Sequence, residues 1–120
     1  PRSIAVETLA GVPFSAFEGI IREYDLSVCL DIGHWLRSFE DPFEFISNWA
    51  DRLAEVHIHQ TFEGKPKRID HNSLELPGLV GPARIVEALR DVRFTGPLLL
   101  EVKGREAVIK SLDVLTGLLA

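Results

Sequence analysis

Four apolar runs in this chain each stop at an ionisable side chain. Ser3-Ile4-Ala5-Val6 stops at Glu7, and Val28-Cys29-Leu30 stops at Asp31. The alternating stretch from Ala54 to His59 presents His57 and His59, and Leu98-Leu99-Leu100 stops at Glu101. His34 follows Asp31 by three residues, with Gly33 between them. A carboxylate or imidazole taken out of water is costly unless it gains a partner or an ion. Three carboxylates and an imidazole gathered in one place would repel or take up protons unless a cation balanced them. Oxygen donors mixed with nitrogen suit Mn²⁺, Mg²⁺, Co²⁺ or Zn²⁺, and no thiolate among the four pulls the choice strongly towards zinc. The expectation is a divalent-metal site made by Glu7, Asp31, His57 and Glu101. For any one of these residues alone, the competing account is a polar strand end with an ordinary turn.

The four can meet only if the strands that carry them run parallel and end on one side. The spacing predicts that arrangement. Ser3–Glu7 reads as a short strand and Phe14–Tyr24 as a helix, with Phe14, Phe17, Ile20, Ile21 and Tyr24 on its apolar stripe. Ser15 with Glu18 has the form of a capping box. A second strand ends at Asp31, where Gly33 is expected to let the chain turn sharply. Leu36–Glu40 reads as a loop, and Asp41-Pro42 as the cap and first residue of the next helix. In the third strand, Ala54–His59, alternation puts His57 and His59 on one face. Residues 60–81 read as a long polar loop holding Asp70 and His71, of a length that points to function. Pro82–Val92 is a helix, Leu98–Val102 a strand and Arg105–Leu119 a helix. Four strand–helix units of this kind predict an α/β fold with parallel strands, either a small open sheet or half of an eight-stranded (β/α)8 TIM barrel. In such folds the C-terminal ends of the strands form the rim where chemistry gathers.

The 120 residues suit one domain, residues 1–120, with 46% apolar and 26% charged side chains. No apolar run approaches the roughly 20 residues needed to cross a bilayer, and no signal peptide opens the chain. The formal net charge of −5 makes a nucleic-acid partner an unlikely expectation. The single cysteine, Cys29, excludes a disulfide within the chain and fits a cytoplasmic home. There is no methionine, so the chain is read as a piece of a longer protein.

Taken together, Glu7, the LDIGH run at residues 30–34, VHIH at 56–59 and GPLLLEV at 96–102 resemble the C-terminal half of the xylose-isomerase-like barrel superfamily. That group includes sugar-phosphate isomerases and epimerases, ketose epimerases, inosose dehydratases and abasic-site endonucleases. The resemblance implies a small carbohydrate substrate, one divalent metal on Glu7, Asp31, His57 and Glu101, and proton transfer by the Glu7–Glu101 pair. It also implies a substrate contact from His34. The chain departs from the family at Gln60, where many members have a carboxylate. It departs again at Asp70-His71-Asn72, where Asp-x-His is common, which argues against a three-metal phosphodiesterase. For Trp35 and Phe39 local packing is favoured over a sugar-binding wall, and for Arg68 and Lys103 a solvated position is favoured over a phosphate grip. A half-barrel with open sheet edges leaves a third reading open, an inactive fragment that either pairs with a second copy of itself or survives alone.

Overall fold

The computed structural model describes residues 3–120. Four parallel strands form its sheet: β1 (Ala5–Glu7), β2 (Ser27–Asp31), β3 (Leu53–Ile58) and β6 (Leu98–Leu100), side by side in that order. The helices are α1 (Ser15–Glu23), α2 (Ile32–Arg37), α3 (Pro42–Asn48), α4 (Pro82–Asp91) and α5 (Arg105–Leu119). The architecture is the expected partial TIM barrel of strand–helix units. The central pair, β2 and β3, is in register with Asp31 opposite His57, and β3 meets β6 with Ile58 opposite Leu100.

Alternation along these strands divides the sheet into two unlike faces. Val28, Leu30, Val56 and Ile58 are buried in the hydrophobic core against the helices, with Val6, Leu98 and Leu100 packed onto it. Period two then sends Glu7, Cys29, Asp31, Glu55, His57 and Glu101 to the other face. Beneath the helices, Phe14, Trp35, Phe45 and Trp49 form one aromatic cluster, with centroids 5.0–6.1 Å apart.

Several local expectations are corrected. Ser15 does not cap α1: Phe14 occupies the N-cap position, and no side chain bonds the free N–H groups there. Asp41 does cap α3, its Oδ1 accepting from the Phe43 N–H at 2.8 Å. The chain does not turn sharply at Gly33. It enters α2 directly, and Asp31 caps that helix by accepting from the His34 N–H at 2.9 Å. Gly33 is needed instead because a Cβ there would lie 2.0 Å from the His59 ring. The supposed loop after β3 holds a hairpin of β4 (Gln60–Phe62) and β5 (Ile69–Asn72). Gln60 is buried in that hairpin and donates to the Leu76 carbonyl, so its amide has a structural use.

Candidate metal centre

Each candidate residue sits within one position of the C-terminal end of a parallel strand. Glu7 and Asp31 are the last residues of β1 and β2, His57 is the penultimate residue of β3, and Glu101 follows β6. The parallel register carries them to one rim. His57 is the hub: its Nδ1 lies 3.3 Å from Glu7 Oε1, 3.5 Å from Asp31 Oδ2 and 3.6 Å from Glu101 Oε2. Glu7, Asp31 and His57 can each turn one donor atom into a group whose members lie within 4.8 Å of one another.

The residues fit a divalent ion, and the fit rests on two orphaned atoms. Asp31 Oδ2 and His57 Nδ1 are both buried and have no hydrogen-bond partner. Buried polar atoms are rarely left this way unless an ion or water belongs between them. The remaining atoms of both side chains are fully engaged. His57 Nε2 donates to Glu55 Oε1 at 2.7 Å, which leaves Nδ1 as the open position of the ring. Metal-binding imidazoles commonly carry such a carboxylate on the far nitrogen. Asp31 Oδ1 accepts from the His34 N–H and, at 2.8 Å, from His59 Nε2. The Asp31 N–H donates to Thr8 Oγ1 at 2.9 Å, which ties the end of β2 to the turn after β1.

These contacts set the protonation states. Burial pushes the Asp31 carboxyl up, but the hydrogen bonds from His59 and the His34 N–H outweigh it and hold the group at about 2. Burial lowers His57, yet the Glu55 hydrogen bond and the charges of Glu101, Glu7 and Asp31 raise it above its ordinary value. Its open nitrogen therefore attracts either a proton or a metal ion. Burial, with the nearby carboxylates, pushes Cys29 up to about 12, so that neighbour is an inert thiol.

His34 reaches the rim. Its Nδ1 donates to the Thr8 carbonyl at 3.2 Å and lies 3.4 Å from Asp31 Oδ2. Beside it stand His59, Asp70 and His71, and His34, Asp70 and His71 form a second possible ligand group. Arg37 already binds Asp70 there, at 3.1 Å. Other candidates lie elsewhere. Trp35 belongs to the aromatic cluster and donates to the Asp41 carbonyl, so it lines no wall of this site. Phe39 is largely exposed under the Arg68 guanidinium, and Arg68 itself is held by Glu63 and the Leu36 carbonyl rather than open to a phosphate. Lys103 lines a separate open cavity with Ser73, Arg105 and Lys110. Glu55 and Thr8 were missed by the sequence reading. Glu55 could have been found, since it precedes His57 by two and shares its face. Nothing local distinguishes Thr8, which bonds across 23 residues.

A parallel βα sheet with ionisable groups gathered on its C-terminal rim is the working end of a TIM-barrel protein. The chain belongs to the xylose isomerase-like TIM barrel family, which matches residues 3–118. None of the curated proteins compared with it matches. Among solved structures it is similar to a xylose isomerase domain protein from Planctomyces limnophilus, with 19% identity and a TM-score of 0.76 over 95% of this chain and 44% of that one. It is also similar to a 3-keto-D-glucoside 4-epimerase from E. coli, with 18% identity and a TM-score of 0.67, again over 95% and 44% of the two chains. A third likeness is to a probable 3-DHS dehydratase involved in petrobactin synthesis from Bacillus anthracis, with 18% identity and a TM-score of 0.70 over 93% and 48%. These likenesses concern the fold, and the chain spans under half the length of each. No helix among the described residues is long and apolar enough to cross a membrane.

Proposed function

We propose that this chain carries the metal-binding half of a divalent-metal-dependent isomerase or epimerase acting on a small sugar or sugar phosphate. One observation carries the reading: two buried, unpartnered donor atoms, Asp31 Oδ2 and His57 Nδ1, stand 3.5 Å apart with the Glu7 and Glu101 carboxylates beside them. The ligands are Glu7, Asp31, His57 and Glu101, and Mn²⁺, Mg²⁺, Co²⁺ and Zn²⁺ all suit that donor set. When bound, the ion supplies Lewis-acid polarisation of a substrate carbonyl and its neighbouring hydroxyl.

The chain's own residues handle the proton. One of the pair Glu7 and Glu101 removes it from the carbon beside the carbonyl. The other returns it, on the opposite face for epimerisation or at the next carbon for isomerisation. The glutamates are the only proposed ligands with substantial side-chain exposure, 36% and 32%, whereas Asp31 is fully buried. They can therefore reach a substrate that Asp31 cannot. His34, 20% exposed, sits where it can hold a substrate oxygen.

A metal-dependent phosphodiesterase is the competing reading, favoured by the second group of His34, Asp70 and His71. Arg37 on Asp70 and the net charge of −5 weigh against it. Metal stoichiometry separates the two: one ion per chain fits the isomerase, and two or more fit the phosphodiesterase. Among the described residues β1 and β6 each have a single strand neighbour, so further strands or a second copy would pair at those edges. A clean dimer in size-exclusion chromatography would support the second copy.

The deciding experiment is Co²⁺ titration of the protein and of Asp31→Asn, with elemental analysis of the purified material. The expected result is one ion in the parent and a loss of affinity beyond 100-fold in Asp31→Asn, with the circular dichroism unchanged. That threshold exceeds the 10–100-fold effect typical of residues that only support a ligand. Equal affinity in the two proteins would remove Asp31 from the site. Absence of a divalent ion under all conditions would end the metal reading. For activity, a protein completed by its remaining strands should exchange a carbon-bound proton of a ketose with D₂O.

A further inference from the structure

His59 is a fully buried imidazole that the ligand set does not need, and its surroundings are built closely around it. Gly33 lies under the ring, where any Cβ would come within 2.0 Å of His59 Cε1. The His71 ring stacks on it at 4.2 Å and 8°. To place that ring, His71 adopts a φ of +59°, a conformation that non-glycine residues seldom take. Both nitrogens of His59 are engaged: Nδ1 faces the backbone N–H of His71 at 2.8 Å, and Nε2 faces Asp31 Oδ1 at 2.8 Å.

A backbone N–H can only donate, so His59 Nδ1 must accept and carry no proton. The hydrogen bonds thus put the ring proton on Nε2, where it is donated to Asp31 Oδ1. Asp31 Oδ1 receives this bond and that of the His34 N–H, and Oδ2 receives none. Turning the carboxylate out of this orientation would break both bonds. Building on the metal reading above, we propose that His59 is a positioning residue that locks Asp31 so that Oδ2 alone faces the ion. The His71 backbone N–H, contributed by the β4–β5 hairpin, fixes the His59 tautomer that does this. The hairpin is thereby part of the site without contributing a ligand.

The proposal is tested first in the metal-free protein, by imidazole ¹⁵N–¹H correlation NMR. The expected spectrum shows His59 protonated at Nε2 and bare at Nδ1. A proton on Nδ1 would overturn the proposal. Co²⁺ titration then compares the parent with His59→Phe, which fills the same seat without a donor, and His59→Gln, whose amide N–H can still reach Asp31. His59→Phe should bind Co²⁺ 10–100-fold more weakly, as loss of a supporting partner does, and His59→Gln should recover most of the loss. A His59→Phe variant that binds as the parent does would overturn the proposal. So would a His59→Gln variant no better than His59→Phe, or a Co²⁺ absorption spectrum in His59→Gln that has lost a nitrogen ligand. The last result would make His59 a ligand. If His59→Phe does not fold, the His59→Gln titration and the tautomer decide. A parent that binds no Co²⁺ at all defeats the proposed function, while the tautomer still decides the role of His59.

Discussion

The aromatic cluster under the helices and the rim of the sheet are built to opposite rules. In the cluster, Phe14, Trp35, Phe45 and Trp49 meet largely edge to face, and the one indole N–H that turns away finds the Asp41 carbonyl at 3.1 Å. At the rim, two buried polar atoms are left open. The same short chain thus meets its bonding requirements in one place and leaves them unmet in another. The remaining polar atoms of these two side chains are bonded, by Glu55, His59 and the His34 N–H, and Thr8 holds the Asp31 backbone N–H. Packing supplies the stability that lets such a site exist, and on the proposed metal reading a bound ion would add to it.

This contrast predicts that damage to one region spares the other. The largest effect is expected for Phe45→Ala, at the centre of the cluster. It should cost about 3–5 kcal/mol of folding stability in urea denaturation, while the folded fraction keeps its Co²⁺ affinity. A matching loss of affinity would show the two regions to be one cooperative unit. Glu55→Gln should do the reverse on a smaller scale. It weakens Co²⁺ binding 10–100-fold by loosening the His57 tautomer, and leaves the denaturation midpoint of the metal-free protein nearly unchanged.

The smallest effect is one of sign, and it concerns pH. His57 is raised above 6.5 in the fold, so its proton stabilises the metal-free protein fully below 6.5, and that contribution fades as pH rises through the raised value. Asp31 is lowered from 3.8 to about 2, so its charge stabilises the fold above 3.8, and that contribution is lost as pH falls towards 2. As far as these two groups decide it, metal-free stability is greatest between 3.8 and 6.5. Denaturation across pH should show the decline above that window, and saturating Mn²⁺ should abolish it, because the ion needs His57 without its proton. A decline that persists with the metal would mean that the ion and the proton do not share Nδ1.

Most of the scaffold was legible in the sequence because parallel βα units repeat their pattern at every step. The strand ends that carry Glu7, Asp31 and Glu101 are marked by abrupt changes from apolar to charged residues. The last helix was readable to the residue, from Arg105 to Leu119, although Ile109, Leu112 and Leu119 turn out exposed and Ser111 is buried on its inward side. The errors have physical causes. Helix α2 is six residues long, too short for a period to show, and its start at Ile32 depends on the side chain of Asp31. The β4–β5 hairpin is polar on both strands and is recognised by its pairing, Gln60 with Asn72 and Phe62 with Ile69, rather than by alternation. Trp35 packs locally, as favoured, and what the sequence concealed is the short helix α2 that carries it. The link between His59 and His71 spans twelve residues and runs through a backbone N–H, which no side-chain pattern can announce.

Asp31 begins α2 as well as aiming an oxygen at the rim. Replacing an aspartate at a helix start costs about 0.5–2 kcal/mol whatever else it does. Glu101 has no comparable structural duty: its backbone N–H pairs with Ile58, and any residue but proline can supply that. Under the proposed function, a descendant relieved of that chemistry would therefore discard Glu101 early and keep Asp31 long afterwards. On that reading the glutamate would mark the chemistry of the site, while the aspartate is partly a record of how the helix is made.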